Sequence, residues 1–277
     1  MPINGSTEVY GIMGNPVSHS LSPAMHNAAF RHLGLNKVYL PFPVLDAGAA
    51  ILGFKALRVK GVSVTIPHKQ AVIAHLDRID SVAAKIGAVN TLVIDRDQVL
   101  GLNTDWLGAN AALSQLTDLT GKKVLLLGAG GSARAIGFGL LEAGATLTLA
   151  SRTPAKGQEL ASALGCPWLP LTAIHDLQHT DILINATSVG MGATCEQSPV
   201  ASDALTNFGI VMDIVYAPLE TRLLREARTA GCQTINGLAM LLYQGVAQFE
   251  RWTEIPAPIE VMRQELMAGL PDAHKKI

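Results

Sequence analysis

Short apolar runs of strand length alternate with segments of helical periodicity along nearly the whole chain. In the first third, such runs predict strands at residues 8–14, 38–42, 61–66 and 90–94, with helices between them. This alternation is typical of a mainly parallel sheet that is covered by helices on both faces. The predicted fold class is therefore α/β.

One helix of this part has clear start and stop signals in the sequence. Ser22 can cap its N-terminus, Pro23 suits its first position, and Gly34 can end it in a left-handed conformation. The segment before it, GNPVSHS (residues 14–20), carries hydroxyl groups and leads into the helix N-terminus. Because backbone donors and the helix dipole favour an anion at such a position, the sequence predicts a carboxylate-binding loop.

A second α/β unit opens near Leu119. The segment TGKKVLLLGAGGSARAIGFGLLEAGATLTLASR (residues 120–152) reads as a strand, a glycine turn, a helix and a second strand, which is one βαβ unit. A helix at residues 155–164 and strands at 181–185 and 210–214 continue the pattern. After Gly237, apolar residues at helical spacing predict one long helix, and a short helix follows from about residue 258.

The glycine turn GAGGSA (residues 128–133) fits the pattern GxGxxG/A between a strand and a helix. Gly128 would allow the tight turn, Gly130 would let a pyrophosphate approach the backbone, and Ala133 would allow close helix packing. A glycine-rich turn without a ligand is the alternative. The setting favours a dinucleotide site.

The end of the next strand indicates which dinucleotide is bound. About 20 residues after such glycines, an NAD site usually carries an acidic residue for the ribose 2′-hydroxyl. This chain has Ser151, Arg152 and Thr153 there, with Lys156 one turn later. Because no acid repels a 2′-phosphate and Arg152 can grip it, the sequence predicts NADP rather than NAD. The alternative is that Arg152 and Lys156 are only solvated loop residues.

Three polar segments interrupt otherwise apolar strands in the first part of the chain. Strand ends with such groups indicate the edge of an α/β sheet where ligands bind. Lys69 and Asp105 are of most interest, since a carboxylate beside an enclosed lysine could hold a proton donor in place. A solvated lysine and a helix-capping aspartate are the alternative. The segments are VTIPHK with Thr65 and Lys69, GAVNTL with Asn90, and GLNTDWLG with Asn103 and Asp105.

Composition narrows the class of protein. The 277 residues suggest about two domains. With 49% hydrophobic and 16% charged residues, the chain is not disordered or fibrous. A net charge of -1 implies no basic face, so nucleic acid is not an expected partner. Three widely spaced cysteines predict neither disulfides nor a metal site, and no apolar run is long enough for a membrane span. We expect a cytoplasmic protein.

The chain resembles the shikimate dehydrogenase family in nine segments that follow one another over almost its full length. The resemblance implies reversible NADP-linked reduction of 3-dehydroshikimate to shikimate, a step towards aromatic amino acids. It implies a substrate domain (residues 1–105 and 238–277), a Rossmann-like NADP domain (residues 106–237) and a cleft between them. The segments are VSHSLSPAMHN, VTIPHK, GAVNT, GLNTDWLG, GAGGSARA, SRTPAK, NATSVGM, DIVYAPLET and INGLAMLLYQ.

The resemblance also implies roles for individual residues. Lys69 would be the catalytic proton donor and acceptor, and Asp105 would orient it. Ser20, Ser22 and Tyr216 would hold the substrate carboxylate, and Thr65, Asn90, Asp105 and Gln244 the ring hydroxyls. The implied NADP site comprises Gly128, Ala129, Gly130, Gly131, Ser132, Ser151, Arg152, Thr153, Lys156, Thr187, Ser188, Ile214, Gly237 and Met240.

Two positions depart from the family pattern. Ser63 stands where the family often has Asn in NVTxPxK, so a contact to a ring hydroxyl is expected to become water-mediated. Ser151 replaces a frequent Asn, which would weaken an adenosine-side contact. Ser63 leaves open a quinate/shikimate dehydrogenase with relaxed cofactor use. A non-catalytic ligand sensor on the same scaffold is a further alternative, and the chain is expected to be a monomer or a homodimer.

Overall fold

A computed structural model of the chain describes residues 3–177 and 179–270. The chain forms two compact units, Met1–Thr104 with Gln244–Gly269, and Asp105–Tyr243 with Leu270. The sequence-based boundaries at residues 105 and 238 remain predictions, and residues 271–277 of the predicted substrate domain lie outside the described residues. The α/β class predicted from the alternating pattern is confirmed.

The elements follow in chain order, as far as the chain is described. The first unit contains β1 (Glu8–Gly14), α1 (Ser22–His32), β2 (Lys37–Pro43), α2 (Ala47–Ala56), β3 (Gly61–Val64), β4 (Arg78–Ile79), α3 (Ser81–Ile86), β5 (Thr91–Asp95) and β6 (Gln98–Leu102). The second contains α4 (Asp105–Leu113), β7 (Lys123–Leu127), α5 (Gly131–Glu142), β8 (Thr146–Ser151), α6 (Pro154–Leu164), β9 (Trp168–Pro170), β10 (Thr180–Asn185), β11 (Phe208–Asp213), α7 (Arg222–Thr229) and β12 (Gln233–Ile235). The last helices are α8 (Gly237–Thr253) and α9 (Ile259–Ala268).

The sheet of the first unit has the strand order β2-β1-β3-β5-β6-β4. The pairs β1–β2, β1–β3 and β4–β6 are parallel, whereas β5 is antiparallel to both β3 and β6. Because β5 runs against its neighbours, its first residue lies beside the last residues of β3 and β6. Thr91 pairs with Ser63 on one side and with Leu102 on the other. The polar segments that follow or precede these strands therefore meet at one edge of the sheet.

Helix α1 begins differently from the prediction. Ser22 is the first helical residue rather than the cap, and Leu21 occupies the cap position without a side-chain hydrogen bond. The predicted capping role of Ser22 is wrong, because its side chain is buried and turned to other partners. The predicted end holds, since Gly34 has φ of +66°, the left-handed region that favours glycine.

The second unit has an all-parallel sheet in the order β12-β11-β10-β7-β8-β9. Its central strands are buried on both faces, which explains why β7 reads as an unbroken apolar run. One apolar cluster packs α5 and α6 against this sheet, and a second packs α7 against the other side. This arrangement places the glycine turn at the carboxyl end of the central strand β7. Among the described residues, no helix is long and apolar enough to cross a membrane.

Candidate active site

Asn90 lies at the centre of a buried hydrogen-bond network at the polar edge of the first sheet. Its side-chain Oδ1 accepts from the backbone N–H of Thr104 at 2.7 Å and from the hydroxyl of Thr91 at 2.7 Å. Its Nδ2 donates to the Thr104 hydroxyl at 2.9 Å and to Oε1 of Gln244 at 3.4 Å. The start of β5, the segment after β6 and helix α8 are thus joined through one amide.

Lys69 is held near the same edge by its backbone. The amide of Val89 donates to the carbonyl oxygen of Lys69 at 2.8 Å, and the amide of His68 donates to the Thr65 carbonyl at 2.9 Å. These bonds fix the turn that follows β3, in which Lys69 is half-buried. The His68 ring bonds the Val44 carbonyl at 2.8 Å, which gives this histidine a structural role.

Asp105 is the first residue of α4 and is buried. It follows Thr104 directly in the chain, and Thr104 is bonded to Asn90 through both its backbone N–H and its hydroxyl. Asn103, the residue before, donates from its amide to the Ala88 carbonyl at 2.9 Å. The GLNTD segment is therefore fixed at the sheet edge up to Thr104. The pairing of Asp105 with Lys69 remains a prediction.

The predicted carboxylate loop is ordered around two serines. The backbone amide of Ser22 donates to the Ser20 hydroxyl at 3.2 Å. Ser22 also bonds the hydroxyl of Tyr39, which donates to Ser63 at 2.6 Å. Burial raises the pKa of Tyr39 above its ordinary value, so its hydroxyl remains a proton donor. Ser22 is thus part of a buried hydroxyl chain at the beginning of α1.

Tyr39 and Gln248, two further buried residues of this network, lie outside the segments singled out from the sequence. Gln248 lies one helical turn after Gln244 on α8, on the same face, and bonds Ser63, Asn90 and Thr91. A second amide four residues after Gln244, inside an apolar helix, is the sequence signal that could have identified it. Ser63 itself is buried and bonded to Tyr39 and Gln248, which differs from the expected water-mediated contact to a ring hydroxyl.

The glycine turn of the second unit has the geometry that a pyrophosphate site needs. Gly128 has φ of +119°, and a Cβ there would lie 2.9 Å from the Ala186 carbonyl oxygen. Gly130 caps α5, and a Cβ there would meet nothing within 4 Å. Ala133 is buried in the apolar core. The open backbone at Gly130 and the N-terminus of α5 therefore lie together, with Ala129, Gly131 and Ser132 in the same turn.

The segment after β8 presents cations to solvent. Arg152 and Lys156 are exposed, as is Thr153, and no acidic residue stands between them. Ser151 differs from these neighbours because it is buried. Its hydroxyl accepts from the Trp168 indole N–H at 3.0 Å and donates to the Thr153 carbonyl at 3.1 Å. The Ser151 side chain thus stabilises the turn. Arg152 and Lys156 are the groups that can bind a phosphate.

Asp213 ties three segments of the second unit together. Its Oδ1 accepts from the Asn185 amide at 2.9 Å and from the Val215 backbone N–H at 3.0 Å, and its Oδ2 accepts from Thr221 at 2.7 Å. Burial raises the pKa of Asp213 to about 6, although these three donors oppose the shift. This cluster fixes the two loops that carry the predicted site residues Thr187, Ser188, Ile214 and Tyr216.

The other predicted residues of this unit lie close to those loops. Thr187 bonds Asn185 through its amide and its hydroxyl, at 3.0 and 2.7 Å. Burial raises the pKa of Tyr216, so its phenol remains a donor. Gly237 packs so tightly on the Ile214 carbonyl that no side chain fits there, and Met240 is buried in the core. Among the described residues there is no cluster of three or more His, Cys, Asp or Glu able to hold a metal ion.

Comparison with known proteins matches most of the chain to three family models. Residues 12–92 match the shikimate dehydrogenase substrate binding domain, residues 110–202 match shikimate / quinate 5-dehydrogenase, and residues 237–267 match the shikimate 5'-dehydrogenase C-terminal domain. The chain is similar to shikimate dehydrogenase (NADP(+)) of Moorella thermoacetica, with 45% identity over 281 residues that cover 97% of this chain and 95% of the relative.

Solved structures show the same similarity. A shikimate dehydrogenase crystallised with NADP+ superposes with a TM-score of 0.92 at 40% identity, covering 98% of both chains. The shikimate 5-dehydrogenase of Thermus thermophilus, in complex with NADP(H) and shikimate, superposes with a TM-score of 0.88 at 36% identity. That match covers 95% of this chain and 100% of the other.

Proposed function

The chain belongs to the shikimate dehydrogenase family, and from this membership we propose that it interconverts 3-dehydroshikimate and shikimate with NADP(H). It is an NADP-dependent oxidoreductase that acts on a CH–OH group, in the pathway to aromatic amino acids. The observation that carries the proposal is the meeting of three polar strand ends around Asn90, with the Lys69 turn bonded to Val89 directly beside it.

In the proposed reaction, Lys69 donates a proton to the carbonyl oxygen of 3-dehydroshikimate and takes it back in the oxidative direction. The bound nicotinamide supplies the hydride that reduces the carbonyl carbon. Asp105 orients the lysine and a neighbouring hydroxyl. A ketone thus becomes a secondary alcohol with one hydride on carbon and one proton on oxygen, and the protein supplies only the proton and the positioning.

For the substrate, hydroxyl groups take the place of an arginine at the carboxylate. Ser20, Ser22 and Tyr216 are the residues that the family resemblance assigns to it, and the raised pKa of Tyr216 keeps its phenol protonated. Thr65, Asn90, Asp105 and Gln244 hold the ring hydroxyls. The buried and bonded state of Asn90 and Gln244 supports this role, because preorganised amides lose little freedom when a ligand binds.

For the cofactor, the residues present fit NADP. The pyrophosphate would lie on the open backbone at Gly130 and the N-terminus of α5, and the 2′-phosphate on Arg152 with Lys156. Thr187, Ser188, Ile214, Gly237 and Met240 would hold the nicotinamide end. The absence of an acidic residue at positions 151–156 favours NADP over NAD.

The direct test follows NADPH absorbance when the purified chain is mixed with shikimate and NADP+ at mildly alkaline pH. We expect NADPH to form, and to form much more slowly when NAD+ or quinate replaces the preferred partner. Equal rates with quinate would support the broader specificity that Ser63 leaves open. The buried bonds of Ser63 do not favour it. Shikimate binding without hydride transfer would instead support a sensor.

Location and assembly are also part of the proposal. The three cysteines are free, which fits the reducing cytoplasm. We expect a monomer or a homodimer in solution, and light scattering of the purified chain distinguishes the two.

A further inference from the structure

We propose that Gln248 is a positioning residue that holds Asn90 in the orientation needed to bind a ring oxygen of the substrate. The inference rests on the proposed function, since it concerns the same site. Gln248 is 1% exposed, and both ends of its amide are bonded. Oε1 accepts from Ser63 at 2.7 Å, and Nε2 donates to the Asn90 carbonyl at 3.1 Å and to the Thr91 hydroxyl at 3.0 Å.

The direction of each bond follows from the chemistry of the groups. A backbone carbonyl only accepts, so the Asn90 carbonyl requires the Nε2 end of Gln248 on its side. Thr91 accepts from the same Nε2, which leaves its own proton for Oδ1 of Asn90 at 2.7 Å. At the other end, Oε1 only accepts, so Ser63 donates to it and accepts from Tyr39. Each hydrogen bond of this chain is therefore donated in the direction from Tyr39 towards Asn90.

This direction fixes the orientation of the Asn90 amide. Oδ1 is held by Thr91 and by the Thr104 backbone N–H, so Nδ2 faces the Oε1 of Gln244. Gln244 in turn directs its own Nε2 away from Asn90. In this orientation a ring oxygen of the substrate would accept from the Nδ2 edge of Asn90, which donates to Thr104 and to Gln244 in this structure. Gln248 acts on this arrangement through Thr91 and the Asn90 carbonyl, without touching substrate.

Residues 63 and 248 form a matched pair in this scheme. Ser63 is short, and its hydroxyl lies 2.7 Å from Oε1 of Gln248. The amide of an asparagine at position 63, which the family often has, would extend into the space that Oε1 occupies. The helix residue thus supplies the buried amide that the strand residue lacks.

The first experiment measures KM and kcat for shikimate and KM for NADP+ in Gln248→Met, Thr91→Val and the double variant. Each substitution keeps the approximate volume and removes the bonds. We expect kcat/KM for shikimate to fall about tenfold in each single variant, mainly through KM, with KM for NADP+ unchanged. The double variant should lose little more, because both singles break the same chain of bonds. The matched control is Gln264→Met, since Gln264 is exposed on α9.

A second variant adds a signature that a purely structural role would not produce. In Gln248→Glu, the ionised side chain can only accept, so it opposes the Asn90 carbonyl and draws the Thr91 proton away from Asn90. Protonation restores a donor. His26 of α1, which bonds the side chain at position 248, is the titratable group that faces it. We expect KM for shikimate to rise with pH in this variant beyond any change in the wild type. A profile parallel to the wild type would overturn the proposal.

The pair is tested by rescue. Gln248→Ala should raise KM for shikimate. Ser63→Asn should also raise it, because the two amides collide. The double variant, Ser63→Asn with Gln248→Ala, should recover most of the wild-type KM. This double variant also decides the matter if a single variant does not fold. Folded variants, judged by melting and NADP+ binding, with KM for shikimate within twofold of wild type would overturn the inference alone. A wild type that neither binds nor oxidises shikimate would overturn the proposed function and the inference with it.

Discussion

The backbone amide of Val89 donates a hydrogen bond of 2.8 Å to the carbonyl oxygen of Lys69. Val89 immediately precedes Asn90, whose side chain organises the sheet edge. The bond therefore fixes the lysine-bearing turn after β3 to the segment that holds the proposed substrate ligands. A proton donor is most effective when its position is set before substrate arrives, because no binding energy is then used to order it.

Replacement of Lys69 by Ala is expected to lower kcat for shikimate oxidation by about 10²- to 10⁴-fold, since the proton acceptor is lost. KM for shikimate should change much less. Steady-state kinetics at several pH values measures both. The control is Lys85→Ala, because Lys85 is exposed on α3. A change in KM with kcat unaltered would show that Lys69 binds substrate but does not move the proton.

Replacement of Gly130 by Ala should separate cofactor binding from folding. A Cβ there meets nothing within 4 Å in the protein, so melting temperature should not fall. The methyl group would occupy the space in which the pyrophosphate approaches, and KM for NADP+ should rise at least about tenfold. Gly53→Ala, an equally unobstructed position on α2, is the control and should leave KM unchanged. Normal NADP+ binding by the Gly130 variant would place the pyrophosphate elsewhere.

Replacement of Arg152 by Ala should reduce selectivity for NADP+. Loss of a charge-assisted bond to the 2′-phosphate predicts a rise in KM for NADP+ of about 10- to 100-fold, with KM for NAD+ nearly constant. The ratio of kcat/KM for the two cofactors measures this. Arg225→Ala provides the control, since Arg225 is an exposed residue of α7. Equal effects on both cofactors would argue against a 2′-phosphate contact.

The burial of His26 is expected to make the folded protein less stable in acid. Its ring is fully buried and stacks on Tyr39, with 4.5 Å between the ring centroids. Burial lowers its pKa from 6.5 to about 3, and the Gln248 side chain offsets only part of this shift. Between these values the unfolded chain binds a proton that the folded chain does not, so stability falls as pH falls, by about 1.4 kcal/mol per pH unit.

The test of this linkage is the free energy of unfolding from denaturant titrations at a series of pH values. The free energy of unfolding of His26→Phe should fall less steeply with falling pH than that of the wild type below pH 6.5. The exposed His32 lies on the same helix, and His32→Gln should follow the wild-type curve. Parallel curves for His26→Phe and wild type would show that His26 is protonated in the folded state.

The burial of Asp213, in the second unit, is expected to give stability the opposite dependence on pH. Its pKa is raised from 3.8 to about 6 by burial, so the folded chain holds a proton that the unfolded chain has lost. Its contribution to stability therefore decreases as pH rises through this range, by up to about 3 kcal/mol. Asp213→Asn keeps an acceptor for Asn185 and Val215 and should remove this slope. Asp203→Asn, at an exposed position, serves as the control, and an unchanged slope in the Asp213 variant would refute the assignment.

Several features follow from the sequence because local patterns determine them. The limits of β1 agree with the predicted residues 8–14, since a mostly buried strand is rich in apolar residues. The glycine turn was also predicted, because only glycine suits φ of +119° at position 128. Strand β6 was not predicted. It joins β5 through a tight turn with Arg96 at φ of +52°, and the usual Asn-Gly turn signal is absent.

What the sequence determined by itself is the alternation of strands and helices, the family and the chemical type of each candidate residue, because these depend on neighbours along the chain. Only the tertiary structure decided that Ser63 contacts Gln248, 185 residues later, and that Ser22 is buried beside Tyr39 rather than capping a helix. Such contacts depend on strand direction and helix docking. Strand direction and helix docking are set by the packing of the whole unit, so a local pattern of apolar and polar residues does not predict them.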